Sequence, residues 1–341
     1  MSYQVREVAA KDTWEAFVRR FSPNIFLQSW DFGQFHAAMG DVPLYLGVYD
    51  DEKLVGAGLF VLTFARRGHY YACAAGPLSS EDLPHEEIVS LFAGYLKARS
   101  AKDQAGFIRI RPALEQTVAN QVRYRKLGFV PSVMHLHAER TWVLDLDGTE
   151  EELLAAMRKN TRYGVKRAPK DGVTVSLSVE AEAVETLYAL QQETVSRQHF
   201  VPFAREYFMR LFEAFRSDGA VALFTARFED HPIASAMINY YGDTAVYHYA
   251  ASASEYSKLP GAYAILWEAI REAKRRGCRY FNFWGVVGDD QEKHPWYGLS
   301  RFKKGFGGHE QWYLHAQDLP LNWRYYINRA IETYRRWRRG L

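Results

Sequence analysis

The sequence predicts a mixed α/β fold made of two similar halves, and two observations lead to this prediction. Strand patterns and helix patterns succeed one another along the whole chain of 341 residues, which is typical of sheets covered by helices. Elements of the same type also recur about 175 residues apart, as expected for an internal repeat. The matched positions are Tyr45 and Val221, Phe107 and Tyr280, and Lys126 and Lys303. We therefore predict a duplicated unit of roughly 170 residues.

The first half is predicted to contain a strand, a helix, a hairpin, a second helix and a closing strand. Asp12 is a suitable N-cap for the first helix, and an aromatic-rich segment turns helical from Ser29. Pro84 suits the first position of a long helix, and Pro112 closes a strand. The predicted ranges are strand 3–8, helix 12–20, hairpin strands 44–49 and 53–61, helix 84–101 and strand 107–112.

The second half repeats this order, with hairpin strands 221–227 and 232–241, helix 261–276 and strand 280–283. Between the halves, Thr149 and Glu152 form a capping box that opens a helix running to Ala168. Arg158, Arg162 and Lys166 are spaced four apart on one face of that helix. Three stacked cations could follow phosphates, or they could form a solvated helix exterior, and the spacing alone leaves both interpretations open.

A run rich in glycine and lysine, residues 297–308, allows two interpretations. Four glycines stand among two lysines and two phenylalanines, so the backbone could approach an anionic ligand closely with cations and rings beside it. The alternative is a turn between strands, with solvated lysines and core phenylalanines.

Composition excludes several classes of protein. The chain is 48% hydrophobic and 24% charged, with a net charge of only +3, so any nucleic-acid site must be a local patch. Cys73 and Cys278 are too few for a disulfide framework, and we expect a reducing cytosol and no membrane span. Phosphate-loop, dinucleotide, zincin and nucleophile-elbow motifs are missing. His135 and His137, on one face of a predicted strand, lack further ligands, so we expect no metal.

Several segments, taken together, resemble the Fem aminoacyltransferases (FemA, FemB and FemX), which build the interpeptide bridge of bacterial peptidoglycan. The matching segments occur in family order over nearly the whole chain: 26–35, 76–77, 140–146, 158–163, 247–250, 266–270, 283–285 and 298–308. The resemblance implies two tandem domains of the acyl-CoA N-acyltransferase (GNAT-like) fold with mixed central sheets. The expected domains are residues 1–145, with a C-terminal helix 318–341 packing back on them, and residues 146–317. A coiled-coil arm is missing, as in the FemX-like type.

The resemblance also implies an activity. A cytoplasmic acyltransferase of this family moves an amino acid from aminoacyl-tRNA, its co-substrate, to a stem-peptide amine of lipid II or UDP-MurNAc-pentapeptide. No other cofactor is implied, and we expect a monomer that contacts the inner membrane surface at most peripherally. An aminoacyl ester is already activated, so the enzyme must bring ester and amine together and stabilise the oxyanion.

Residue roles follow from the matching motifs. Lys303 is the implied oxyanion-stabilising cation, and Phe302 would pack against the terminal adenosine or the ester. The remaining implied substrate-binding residues are Trp30, Arg158, Asn160, Arg162, Lys166, Arg205, Tyr207, Tyr247, Tyr249, Trp284, Gly285, Arg301 and Lys304. The chain departs from the family at Arg111, where many members have aspartate, and at His36 to Met39, where many have a lysine, so the acceptor is expected to be recognised differently.

Two other functions remain open. The same fold could support a CoA-dependent N-acyltransferase, although residues 74–77 and 257–261 do not reproduce a basic glycine-rich pyrophosphate turn. A non-catalytic protein that binds tRNA or precursor is the third hypothesis, because no residue stands out as a general base. The arginine-rich C-terminal helix could meet tRNA or an anionic membrane, or could simply pack with its arginines exposed.

Overall fold

The structure is a computed structural model that describes residues 3–66, 68–198 and 203–338, the side chains of 194–198 excepted. Contacts divide the chain into two compact units. The first unit is Met1–Glu139 together with Trp312–Leu341, and the second is Arg140–Gln311. We predicted a boundary after residue 145, but the division falls before Arg140. The strand that begins at Arg140 pairs with a strand of the second unit.

Among the described residues, the first segment of the chain contributes seven strands and four α-helices, with a short 3-10 helix at Phe26–Gln28. These are β1 (Gln4–Glu7), α1 (Lys11–Val18), α2 (Trp30–Ala38), β2 (Val42–Asp50), β3 (Lys53–Ala65), β4 (Gly68–Ala74), β5 (Leu78–Ser79), α3 (His85–Asp103), β6 (Ala105–Arg111), α4 (Val118–Lys126) and β7 (Val130–Pro131).

The second unit and the returning segment follow. The second unit holds β8 (Arg140–Asp145), α5 (Glu150–Ala156), α6 (Lys159–Arg167), β9 (Thr174–Ser178), α7 (Ala183–Gln198), α8 (Arg205–Arg216), β10 (Val221–Phe228), β11 (His231–Tyr241), β12 (Thr244–Ser252), α9 (Gly261–Arg275), β13 (Tyr280–Gly285), α10 (Tyr297–Lys304) and all but the last residue of β14 (His309–Trp312). The chain ends with β15 (Gln317–Pro320) and α11 (Arg324–Arg338).

Each unit is built on a mixed sheet. In the first unit the order is β1-β2-β3-β4-β6-β15-β7, with β5 beside β3, and β4 and β6 are parallel. In the second unit the order is β14-β8-β13-β12-β11-β10-β9, and β12 and β13 are parallel. Each sheet packs an apolar face on a long helix, α3 in the first unit and α9 in the second. Packing of this kind supplies most of the stability of such a layer.

The predicted repeat is present. The succession β2-β3-β4-α3-β6 in the first unit recurs as β10-β11-β12-α9-β13 in the second. The sequence reading missed the third strand of each meander, β4 and β12, and so described hairpins where the structure has three antiparallel strands. The run around Lys303, for which a turn between strands was one of two interpretations, contains a helix, α10, and the matching segment around Lys126 contains α4.

Several local predictions need correction. Helix α1 begins one residue before Asp12, and its N-cap is Ala10, which offers no side-chain cap. The helix opened by the Thr149 capping box is broken, because Met157 is extended and separates α5 from α6. The C-terminal region predicted as one helix from 318 begins as a strand, β15, and residues 339–341 lie outside the described chain.

Across the described ranges, no helix combines the length and the apolar character that are needed to cross a bilayer. The two cysteines are free, as expected from their small number, and both are buried. Burial raises the pKa of Cys73 to about 12 and that of Cys278 to about 11, so neither thiol supplies a thiolate at neutral pH.

Candidate active site

The second unit contains an opening between two parallel strands. β12 and β13 pair from Thr244 opposite Tyr280 to Val246 opposite Asn282, and the ladder ends there although both strands continue. In the first unit the equivalent pair, β4 and β6, has a register shift between His69 and Tyr71 but stays paired to Ala74 opposite Arg111, the last residues of both strands. The same fold is therefore closed in one unit and open in the other.

Bulges accompany the opening on both strands. Tyr247 and Tyr249 face consecutive residues of β11, so His248 is an extra residue in β12. β13 also carries an irregularity between Asn282 and Gly285 against β8. Bulges of this kind bend a strand and redirect its side chains. Trp284, inside the second bulge, has a positive φ of 66°, and the Asn282 side chain accepts a hydrogen bond from its amide.

Lys303 lies at this opening. It comes from the last turn of α10, is 5% exposed, and its Nζ donates to the Gly285 carbonyl over 2.8 Å. The same Nζ is 5.8 Å from the centre of the Tyr247 ring. Among the described residues no carboxylate forms an ion pair with Lys303, and burial lowers its pKa to about 7. A buried amine held by one carbonyl, poised between charged and neutral forms, suits a charge that develops during reaction.

The neighbours of Lys303 on α10 differ from it. Lys304 is also buried, but its Nζ donates to Asp289 Oδ1 over 2.7 Å and lies 5.2 Å from the Trp142 ring centre. The positive charge of Lys304 is therefore already paired with a carboxylate. Arg301 is exposed. Phe302 packs edge-on against the Tyr263 ring at 4.9 Å and belongs to the core margin. The implied packing of Phe302 against a substrate stays a prediction.

A second cluster, on the α8 side, is aromatic. The Tyr207 and Tyr249 hydroxyls are 3.0 Å apart, and Tyr249 packs edge-on against Phe208 of α8. His248 lies 5.3 Å from the Trp284 ring, and its Nδ1 is 3.2 Å from Asn239 Oδ1. Burial lowers the pKa of His248 to about 3, so this imidazole is neutral at physiological pH. The structure thus brings the predicted residues Tyr207, Tyr249 and Trp284 together and adds His248 to them.

Two glycines of residues 297–308, Gly305 and Gly308, are required by close packing. A Cβ at Gly305 would lie 2.2 Å from Thr161 Oγ1, and one at Gly308, where φ is +93°, would lie 2.2 Å from the Val143 carbonyl oxygen. Their lack of a side chain lets α10 and β14 approach α6 and β8 closely. The prediction of a glycine backbone open to an anion is wrong at these two positions.

The three stacked cations predicted on one helix are separated in the structure. Arg158 is the exposed N-cap residue of α6, Asn160 is exposed in its first turn, and Lys166 is exposed near its C-terminal end. Arg162 instead turns back to α5, where its Nη1 donates to the Ala155 carbonyl at 2.8 Å and to the Met157 carbonyl at 3.3 Å. Its guanidinium therefore caps the C-terminus of α5.

Two further predicted residues have structural partners. Arg205, at the start of α8, forms an exposed ion pair with Glu185, whose Oε2 is 3.0 Å from its Nε. The turn 199–202 that precedes it lies outside the described residues. Trp30, in the first unit, stacks on Tyr45 with ring centres 3.9 Å apart, and its amide is bonded to Glu15.

His135 and His137, at which we expect no metal, have different contacts: His135 contacts Glu139, and His137 packs edge-on against Phe32. His135 and His137 lie in a loop rather than on a strand, and His135 instead joins Glu139 and His315 in the first unit. The potential ligand atoms of these three residues lie within 4.8 Å of one another. Without a metal the cluster is an ion-pair network, since both imidazole Nδ1 atoms contact Glu139 and His315 Nε2 is 2.8 Å from the Ser132 carbonyl.

Arg111, which departs from the family pattern, is fully buried in the first unit. Within the described part of the chain, none of its three guanidinium nitrogens has a hydrogen-bond partner. The guanidinium lies 4.9 Å from the Tyr313 ring centre, and burial lowers its pKa. A changed recognition of the acceptor at this position stays a prediction.

Sequence reasoning missed two residues at the opening, His248 and Asn282. His248 stands between two predicted residues, Tyr247 and Tyr249, but only the bulge in β12 turns it toward Trp284. Asn282 holds the strained backbone of Trp284, and an asparagine within an aromatic strand is the signal that could have drawn attention to it.

Comparisons with known proteins agree with this architecture. The model of the acetyltransferase (GNAT) domain family matches residues 155–296. A lipid II:glycine glycyltransferase of Staphylococcus epidermidis is 19% identical, and the alignment covers 90% of this chain and 91% of that protein.

Solved structures extend the likeness. The crystal structure of FemX superposes with a TM-score of 0.83 at 17% identity, covering 97% of this chain and 100% of that one. A tandem GNAT protein from the clavulanic acid biosynthesis pathway reaches a TM-score of 0.62 at 12% identity, covering 94% and 99%. The expected fold is confirmed: the chain has two acetyltransferase-like units, and its sequence is similar to that of lipid II:glycine glycyltransferases over 90% of its length.

Proposed function

We propose that this protein transfers an amino acid from an aminoacyl-tRNA to a stem-peptide amine of a peptidoglycan precursor. The proposed position of the reaction site depends on one observation. The buried amine of Lys303 lies where β12 and β13 separate, and it donates a hydrogen bond to the Gly285 carbonyl at the end of β13. The relatives named above act as lipid II:glycine glycyltransferases, which supports the reaction class and the acceptor class for this chain.

The reaction needs no external energy source. The acceptor amine attacks the ester carbonyl carbon, a C–N bond forms, and the bond to the tRNA ribose oxygen breaks. The ribose hydroxyl leaves with a proton equivalent to the one that the amine loses. Negative charge develops on the carbonyl oxygen of the tetrahedral intermediate, and a protonated Lys303 can donate to that oxygen. Because its amine has no carboxylate partner among the described residues, its charge is not already neutralised.

Exposed cations of the second unit support an RNA donor. The α6 sequence KNTRYGVKR has four cations and no acidic residue. Lys166 and Arg158 at its two ends are exposed, as is Arg301 on α10. Cations arranged in this way neutralise phosphates. Arg162, which caps α5, is not counted among them.

The acceptor is proposed to be lipid II or its soluble UDP-linked counterpart. Transfer would take place on the cytoplasmic side, where charged tRNA is found, with the protein at the inner face of the membrane when the acceptor is lipid-linked. A monomeric state and the absence of a further cofactor remain part of the proposal.

A mass-spectrometric transfer assay tests the proposal. Purified protein receives a mixture of charged tRNAs with UDP-linked pentapeptide or lipid II, and acetyl-CoA is supplied in a parallel reaction. We expect the precursor to gain the mass of one amino-acid residue, and ribonuclease treatment to prevent the gain. Lys303→Met should lower the transfer rate about 10²- to 10³-fold, as loss of an oxyanion donor does elsewhere.

The control is Lys97→Met, an exposed lysine of α3 in the first unit, which should leave transfer unchanged. Near-normal transfer by Lys303→Met would remove the oxyanion role. Acetylation in the parallel reaction without aminoacyl transfer would replace the proposal with a CoA-dependent acyltransferase. Binding of tRNA or precursor without any transfer would indicate a non-catalytic binding protein.

A further inference from the structure

The C-terminal helix α11 has an exposed aromatic stripe. Trp323, just before the helix, is 67% exposed, and Tyr326, Tyr334 and Trp337 are 63%, 58% and 74% exposed. With Ala330 they follow one another at spacings of three and four residues, which places them on one side of the helix. Ile327, 52% exposed, borders the same stripe. Large side chains of this kind are seldom left exposed together on a single helix face.

The opposite side of α11 is held by the first unit. Tyr325 is 1% exposed, and Glu332 accepts a bond of 2.9 Å from Arg109. Arg329 donates to the Pro131 carbonyl, and Arg336 donates to the Val133 carbonyl. Because these contacts fix the rotation of the helix, the aromatic stripe faces outward as a consequence of packing.

Cations border the stripe on both sides. Helix α11 carries five arginines and a single glutamate. That glutamate is paired with Arg109, so it does not offset the positive charge of the exposed face. Arg324, Arg335 and Arg338 are exposed on one border of the stripe, and the half-buried Arg329, whose guanidinium also donates to the Pro131 carbonyl, lies on the other. The exposed face of α11 therefore combines aromatic side chains with guanidinium groups along its borders.

We propose that this face of α11 docks on an anionic membrane surface. Tryptophan and tyrosine favour the headgroup region of a bilayer, where an apolar ring and a polar tip are both accommodated. Arginines beside them attract anionic lipid headgroups. An exposed apolar stripe between cationic borders is the pattern of helices that lie in the membrane interface. Single-stranded RNA would instead call for a groove that tracks the backbone, whereas this stripe lies on an outward helix face.

The inference deepens the proposed function, because a protein held at the bilayer reaches a lipid-linked acceptor directly. Only the biological role of docking rests on the proposed function, because docking itself depends on the exposed face of α11. Binding to vesicles that contain no precursor therefore tests the inference even if the proposed transfer activity is wrong.

Co-sedimentation of the full chain with vesicles tests the docking. One set of vesicles contains neutral phosphatidylcholine alone, and the other contains about 30% anionic phosphatidylglycerol. We expect binding to the anionic set, with a partition coefficient that falls as salt is raised. Tyr334→Ala with Trp337→Ala, and separately Arg335→Gln with Arg338→Gln, should each reduce that coefficient about tenfold or more.

Matched controls come from exposed residues of the same unit. Phe64→Ala and Arg66→Gln remove an exposed ring and an exposed guanidinium from β3 and the turn after it, and both should leave binding unchanged. Thermal unfolding of each variant should match that of the parent chain, because the substituted side chains lie on the exposed face.

Three outcomes would overturn the inference. The parent chain could fail to sediment with anionic vesicles. The α11 variants could bind vesicles as the parent does, in which case another surface is responsible. Finally, the α11 variants could keep vesicle binding but lose another interaction. Loss of tRNA binding in a gel-shift assay would assign the stripe to RNA, and loss of a dimer in light scattering would assign it to a second copy of the chain. In the transfer assay, variants impaired only with vesicle-embedded lipid II, and not with soluble acceptor, would connect docking to activity.

Discussion

Burial of Lys303 changes what its amine can do. An exposed lysine is charged up to about pH 10, whereas the Lys303 amine, with one carbonyl partner and no carboxylate among the described residues, has a pKa of about 7. Under physiological conditions the free protein therefore holds both forms. Lys304, next in the chain and equally buried, differs because Asp289 is bonded to it. Of the two adjacent lysines, only Lys303 is available to a reacting group.

The pH dependence of transfer follows from this pKa. If the charged form of Lys303 stabilises the oxyanion, the rate at saturating substrates should fall above about pH 7, approaching a tenfold loss for each further pH unit. Single-turnover rates between pH 5.5 and 9.5 would measure this limb, with Lys97→Met as a control of unchanged profile. A rate that continued to rise to pH 9 would indicate that the neutral amine suffices and would favour a role as proton acceptor.

Arg111 allows a prediction about stability. A guanidinium that is fully buried without a hydrogen-bond partner is costly, and an apolar residue of similar volume often replaces a buried charge without loss. Arg111→Met should leave the free energy of unfolding unchanged or raise it by about 1 to 2 kcal/mol. Urea denaturation measures this. A loss of more than about 2 kcal/mol would reveal a partner such as a buried water, since a satisfied charge is costly to remove.

At the scale of elements, α5 and α6 are joined by a guanidinium. Met157 breaks the long helix predicted from the capping box, and the carbonyl groups at the end of α5 then need donors. Arg162 supplies them from the first turns of α6. Arg162, which the sequence placed among three possible phosphate-binding cations, therefore stabilises the C-terminus of α5.

Two substitutions on α6 separate the structural role from the binding role. Arg162→Met should lower the free energy of unfolding by about 1 to 2 kcal/mol, because the α5 carbonyls lose a charged donor. Its effect on tRNA affinity should be small. Lys166→Met should do the reverse, with unchanged stability and weaker, less salt-dependent tRNA binding. Denaturation and filter binding measure the two effects. Lost transfer at full stability in Arg162→Met would contradict the capping role.

The loop 132–139 is held to the chain near β15 by the His135–Glu139–His315 network. Burial alone would raise the pKa of Glu139, but hydrogen bonds from His135, His315 and the Ala316 amide outweigh it and lower the pKa to about 2. Burial alone would lower the pKa of His315, but its bond to Glu139 and the charge of that carboxylate outweigh burial, and the pKa rises. The carboxylate and the imidazolium thus stabilise each other.

The sign of the pH effect follows from these shifts. The contribution of Glu139 is present above about pH 4.5 and is lost as pH falls through about 2, whereas that of His315 is present below about pH 6.5 and is lost as pH rises through its raised pKa. Glu139→Gln should therefore cost about 3 kcal/mol of unfolding free energy at pH 6 and less at pH 9. His135→Ala, at a side chain 68% exposed, should cost under about 1 kcal/mol. Equal losses for Glu139→Gln at both pH values would contradict this account.

At the scale of the whole molecule, the first unit is discontinuous in sequence and the second is continuous. β15 returns from the end of the chain to lie between β6 and β7. Asp318 of that strand is buried and bonded to Arg109 of β6 at 2.7 and 2.9 Å. The sheet of the first unit therefore gains its strand β15 only after the ribosome has synthesised the segment that follows the second unit.

Truncation after Gln311 tests this dependence. Without β15, Arg109 loses Asp318 and Glu332 together, and removing the partners of a buried charge costs about 3 to 5 kcal/mol in addition to the lost strand pairing. We expect the truncated chain to lose protection from hydrogen exchange in β4 and β6, with the strands of the second unit still protected. Full protection of residues 105–111 in the truncated chain would show that the first unit does not need its last strand.

Much of the architecture follows from local patterns in the sequence. The hairpins of both halves, the helices that became α3 and α9, the Thr149 capping box and the internal repeat all depend on residues close together in the chain, where alternation and helical periodicity act directly. The choice of Lys303 as a catalytic candidate followed from the resemblance to the Fem family, and its role stays a prediction. Its burial where β12 and β13 separate is a property of the tertiary structure.

Other features depend on contacts between residues far apart, which no local pattern encodes. His315 meets Glu139, and Asp318 meets Arg109, only after the chain has passed through the whole second unit. The carbonyls that engage Arg162 became available because a predicted helix broke at Met157. The sequence alone therefore determined the elements and their repetition, whereas tertiary packing decided where the sheet opens, which cations remain available, and which are neutralised by partners.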